Sequence, residues 1–138
     1  MKITTYNKKT HRKMVKRWWR DWHDIVADLD SLIVPNECFI ASSASGEPVL
    51  AVVAYGIYTK KIPIVMIAWV ISNPEDWAFP LRGKALNMVV KHIAEISKKM
   101  NKKIVLTYSE SKALAKVYSR HGFKTADENV TQYIMGVA

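Results

Sequence analysis

Cysteine is nearly missing from the chain: Cys38 stands alone, which excludes an internal disulfide and any cysteine-based metal cluster. The four histidines, His11, His23, His92 and His121, show no ligand spacing, so nothing in the sequence asks for a metal. Long apolar runs are missing too. The longest, Ile62 to Ile71, has the length of a buried strand and falls short of the roughly 18 residues of a membrane span. Met1-Lys2-Ile3-Thr4-Thr5-Tyr6 lacks the apolar core of a signal peptide. Together these absences lead to the expectation of a cytoplasmic protein without a membrane partner.

Acids are absent from the start of the chain. Lys2, Lys8, Lys9, Arg12, Lys13, Lys16, Arg17 and Arg20 all precede the first of them, Asp21, and the net charge is +9. Such a field attracts polyanions, and it fits nucleic acid, an acidic protein or the phosphates of a cofactor as well as a plain solvated helix face. With 49% hydrophobic and 24% charged residues over 138 positions, the composition is that of a folded globular protein, and the length predicts one domain spanning residues 1–138.

The hydrophobic periodicity predicts the elements. Lys2 to Tyr6 reads as a short strand, and Asn7 or Thr10 can cap the helix that follows. In that helix Met14, Val15, Trp18, Trp22, Ile25, Val26 and Leu29 recur at spacings of three and four, an apolar stripe facing a sheet, with Trp19 as the exception among the tryptophans. Asp28 to Asn36 reads as a second short helix or loop closed by Pro35. Cys38 to Ala44, Pro48 to Tyr58 and Ile62 to Ser72 are rich in Val, Ile, Ala and aromatics and predict three antiparallel strands. The second and third are apolar almost without alternation, which suits strands covered on both faces. After a loop from Asn73 to Leu81, a helix is predicted over Gly83 to Met100, a strand over Lys102 to Tyr108 and a helix from Ser109 or Ser111 to about His121, ended by Gly122. Phe123 to Val137 can supply two closing strands meeting near Asp127-Glu128-Asn129. The fold class that follows is α/β (α+β): a mixed, mostly antiparallel central sheet with helices on both faces.

Two segments, at the right places in this order, resemble the GNAT superfamily of acyl-CoA N-acyltransferases. Pro80-Leu81-Arg82-Gly83-Lys84-Ala85 is similar to the family's Arg/Gln-x-x-Gly-x-Gly/Ala cofactor loop, with proline in place of the leading Arg or Gln. A helix start offers unpaired N–H groups, and glycine lets backbone approach an anion. Ser111-Lys112-Ala113-Leu114-Ala115-Lys116-Val117-Tyr118-Ser119-Arg120-His121-Gly122-Phe123 resembles the family's Asn-x-x-Ala-x-x-Leu-Tyr-x-x-x-Gly-Phe, with Ser111 at the Asn position. The resemblance implies acetyl-CoA as cofactor, lying between the strands Ile62 to Ser72 and Lys102 to Tyr108. Backbone near Val70 and Ser72 would pair with the pantetheine arm, Arg82, Gly83, Lys84, Ala85 and Ser111 would contribute to holding it, and Tyr118 would protonate the leaving thiolate.

The function so implied is transfer of an acetyl group to a primary amine by direct attack. Many family members carry a Glu on the strand before the cofactor loop, but Ile62 to Asn73 contains no acid. The general base stays open among Glu75, Asp76, Glu110 and His121. The basic first helix favours an acceptor amine carried on an acidic macromolecule, a tRNA or a protein. The alternative is a GNAT fold kept as a catalytically inactive binding or assembly protein with a protein partner. Leu81-Arg82-Gly83-Lys84-Ala85 resembles a stretch in small GNAT-like proteins of tailed phages, which would place the chain in a virion. A basic nucleic-acid-binding domain is the third function that charge and tryptophans allow.

Overall fold

The strands form where β-branched and aromatic residues concentrate. In the computed structural model, which describes residues 1–23, 28–34, 36–109, 111–128, 131 and 135, β1 (Lys2–Thr5), β2 (Cys38–Ser42), β3 (Pro48–Tyr55), β4 (Ile64–Ser72) and β5 (Ile104–Thr107) lie side by side in that order. Neighbours from β1 to β4 are antiparallel. β5 joins β4 in parallel, and a parallel neighbour needs a crossover, which a helix supplies.

Among the described residues four α-helices cover the sheet: α1 (Lys8–Trp22), α2 (Leu29–Leu32), α3 (Arg82–Lys99) and α4 (Lys112–Arg120). Asn7 caps α1, its side-chain oxygen accepting from the Lys9 and Thr10 amides at 2.9 and 3.3 Å. Ser111 caps α4 by accepting from Leu114, and Gly122, at φ 87°, takes the left-handed conformation that ends it. Alternation sorts the strand side chains into two cores. Phe39, Ala41, Val52 and Ala54 face α3 and α4, while Cys38, Ile40, Ala51 and Val53 face α1 and α2. None of the described helices is long and apolar enough to cross a membrane.

The register of β3 on β4 slips once: Val53 stands opposite Trp69, but Ala54 stands opposite Ile67. Ala68 is therefore an extra residue in β4. Such a bulge breaks the period of two and bends the strand, and the consequence is visible in the cores. Val65 and Ile67 point to the α3 side, whereas Trp69 and Ile71 point to the α1 side. Pairing with β5 covers only Ile64 to Ile67, so the two strands part company where the bulge sits.

Several sequence expectations are corrected here. Trp22 is half exposed and Trp19 is buried, the reverse of the expected roles. Trp22 does share the inward side of the helix, but it sits in the last turn, where its indole donates to the Ser72 carbonyl at the end of β4 at 2.8 Å. Trp19 instead meets Trp69 edge-on, with ring centroids 4.8 Å apart. Leu29 belongs to α2 rather than to the first helix, while Ile25, Val26 and Pro35 lie outside the described residues. The expected loop before α3 contains a 3-10 turn, Asp76–Leu81, that runs directly into the helix. Phe123 to Glu128 form no strand, and most of the remaining closing segment falls outside the described residues.

Candidate functional site

The opening between β4 and β5 gathers the polar groups of the sheet. The Thr107 hydroxyl donates to the Ile67 carbonyl at 3.2 Å and the Tyr108 hydroxyl to the Ala68 carbonyl at 3.3 Å. Thr107 and Tyr108 thus satisfy the two carbonyls at the fork, where strand pairing stops. Tyr118, on α4, is buried with its hydroxyl near the Thr107 side chain. Burial raises its pKa above the usual tyrosine value, against the smaller opposing pull of Thr107. The phenol therefore holds its proton at neutral pH. Its ring lies against Phe123, centroids 5.3 Å apart.

Past the fork, β4 ends in a knot of side-chain donors. Trp22 occupies the Ser72 carbonyl, and Arg82 puts both Nε (3.0 Å) and Nη2 (2.5 Å) on the Asn73 carbonyl. The same guanidinium lies 5.4 Å from the Trp22 ring centroid and 5.2 Å from that of Phe79, a cation between two aromatic rings. Arg82 is thus engaged within the protein. Its amide is also taken, by the Phe79 carbonyl of the 3-10 turn, so α3 begins with fewer open donors than a helix entered from extended chain.

Gly83 and Lys84 are exposed in the first turn of α3, and Ala85 is fully buried against the sheet. A Cβ added at Gly83 would meet nothing within 4 Å. Nothing inside the chain therefore requires glycine there, and the bare space suits an anion that must come close to backbone. Lys84 adds a cation beside it. Val70 lies in the part of β4 beyond the β5 pairing and packs on the α3-side core. Ser111, at the far end of α4 from His121, serves as that helix's cap and is not brought to the Gly83 turn. These groups fit an acyl-CoA in part: an open strand edge, a glycine turn and a protonated phenol are present, while the arginine is turned elsewhere.

The base candidates do not converge. Glu75 accepts from the Trp77 indole at 2.5 Å, and both Glu75 and Asp76 are exposed. Glu110 lies outside the described residues. His121 Nε2 meets Asn87 Oδ1 at 3.0 Å, and Asn87 Nδ2 donates to the Gly83 carbonyl at 3.0 Å. With the amide so oriented, Nε2 is the donor, and the chain His121–Asn87–Gly83 ties the end of α4 to the start of α3.

Sequence reasoning overlooked an aromatic wall on the α1 side of the fork: Trp19, His23 and Trp69, with His23 4.3 Å from Trp19 and 6.0 Å from Trp69 between ring centroids. Its signal was available only in three dimensions, because the bulge decides which way Trp69 points.

No family model matches the sequence, and no match is found among curated proteins. Solved structures do match. The wild-type protein TTHA1254 of Thermus thermophilus aligns over 100% of both chains with TM-score 0.70 and 13% identity. The aminoglycoside 6'-N-acetyltransferase AAC(6')-IG of Acinetobacter haemolyticus also aligns over 100% of both, with TM-score 0.66 and 14% identity. An aminoglycoside N-acetyltransferase, AAC(6')-Iy, in complex with CoA aligns over 98% of this chain and 100% of its own, with TM-score 0.64 and 18% identity. The fold is thus the GNAT acetyltransferase fold. At these identities the likeness carries the architecture and not the chemistry.

Proposed function

We propose that the chain is an N-acyltransferase that moves an acetyl group from acetyl-CoA to a primary amine. The observation that carries this reading is Tyr118, buried and protonated beside Thr107 at the point where β4 and β5 separate. Acetyl-CoA, when bound, supplies the carbonyl carbon that the amine attacks and the thiolate that leaves. The edge of β4 beyond Ile67, with Val70 at its middle, takes the pantetheine arm as an added strand. The Gly83 turn and Lys84 hold the pyrophosphate. Tyr118 gives its proton to the departing sulfur as a general acid.

A second reading, a GNAT-fold binding or assembly protein without catalysis, is favoured by one specific observation. Arg82 is spent on the Asn73 carbonyl and the 3-10 turn consumes its amide, which leaves the cofactor loop partly self-satisfied.

A thermal-shift titration with acetyl-CoA separates the two, with Gly83→Asp as control. An acid in the first turn favours the helix dipole and fits the empty space at position 83, so the variant keeps its fold while repelling phosphates. The acyltransferase gains about 2.7 kcal/mol at a hundredfold excess of cofactor over Kd, and Gly83→Asp loses that gain at unchanged or higher intrinsic Tm. A wild-type protein that ignores millimolar acetyl-CoA leaves the second reading standing.

A further inference from the structure

The solvent face of α1 is a cationic rail. At about 100° per residue, Lys16, Lys9, Arg20, Lys13 and Arg17 fall within an arc of roughly 100°, and Lys9 to Arg20 spans about 16 Å of helix. All five are exposed. Lys8 and Arg12 lean to another side, where both meet Asp30. Among the described residues none of the five makes an ion pair, and the only acid of α1, Asp21, lies beyond Arg17 at the margin of the arc.

The chemistry of the rest of the helix selects the partner. An amphipathic helix binds a membrane surface by inserting its apolar face, but Val15, Trp18 and Trp19 are already buried against the sheet. A protein interface places aromatic and apolar residues at its core and excludes charge from it, whereas no apolar side chain interrupts the five cations. Nucleic-acid interfaces are more polar and far more positive, and a phosphate backbone offers an unbroken line of charge. We propose that this face of α1 is a docking surface for the phosphate backbone of a nucleic acid. Docking requires neither acetyl-CoA nor turnover. The C-terminal end of α1 is held at the end of β4 by Trp22, which lies on the inward side of the helix, outside the rail, and donates to the Ser72 carbonyl.

The test is fluorescence anisotropy with a labelled single-stranded RNA across a salt series, in the absence of acetyl-CoA. Two variants of equal charge are compared. One replaces Lys9, Lys13, Lys16, Arg17 and Arg20 with Gln. The other replaces Lys60, Lys61, Lys98, Lys99 and Lys103 with Gln, a cluster at the opposite end of β4, where some of these lysines border a cavity of about 470 Å³. Five single-strand phosphate contacts give a log–log salt slope of about −3.5, a loss of roughly a hundredfold between 50 and 200 mM salt. The rail variant is expected to lose most of that slope and bind at least tenfold more weakly at low salt, with an unchanged Tm, while the other variant stays close to wild type. Equal losses in the two variants would reduce the effect to net charge and overturn the proposal. So would a wild-type protein that does not bind RNA, or one that prefers phosphatidylserine vesicles or poly-glutamate to RNA.

Discussion

Tyr118 concentrates the functional argument in a single hydroxyl. Removing it as Tyr118→Phe leaves the ring against Phe123 and the helix intact, so the fold and the acetyl-CoA thermal shift should persist. General acid catalysis is worth about 10²–10⁴ in rate, and kcat measured by thiol release should fall by at least about a hundredfold. A variant with undiminished kcat would remove the phenol from the chemistry. Tyr118 was legible from sequence because a Tyr followed four positions later by Gly-Phe is a local pattern. Trp19 and Trp22 were not. Trp22 keeps the spacing of the stripe and Trp19 departs from it, and only the tertiary partners, the Ser72 carbonyl for one and the Trp69 ring for the other, decide which is covered.

At the scale of elements, the turn between β3 and β4 depends on Gly56. Its φ is 93°, and an added Cβ would stand 2.5 Å from the Ile64 carbonyl oxygen. Gly56→Ala should therefore cost about 1–3 kcal/mol from the backbone conformation alone, with more from the clash, read as a lower urea midpoint at unchanged m-value. The order of strands and helices was readable because β3 and β4 are apolar on both faces and α3 carries a clean inward stripe. The bulge at Ala68 was not, since alanine fits either face and an extra residue shows only as a slip in pairing. The 3-10 turn was equally hidden. Asn73-Pro74-Glu75 reads as loop chemistry, and Pro80 argues against an α-helix without announcing a tighter one.

For the molecule as a whole, several buried or half-buried groups titrate in the same direction. Burial pushes the Cys38 thiol from an ordinary 9.0 up to about 12 and raises Tyr55 and Tyr118 above the ordinary tyrosine value. A raised folded-state pKa contributes stability that is complete below the unfolded value and is lost as pH climbs through the folded one. The unfolded chain then releases protons that the folded chain retains. The urea midpoint should hold up to about pH 9 and decline beyond it, and Cys38→Ala should make that decline shallower. A flat profile in the wild type would contradict the burial of these groups.

The knot at the end of β4 bears on how such a chain drifts over time. Trp22 and Arg82 fasten α1 and α3 to the sheet through main-chain carbonyls, those of Ser72 and Asn73. A carbonyl is the same whatever side chain its residue carries, so position 72 can be rewritten without loosening the attachment. Inheritance is confined to the two donors, and letter-by-letter similarity can fade while the architecture stays fastened.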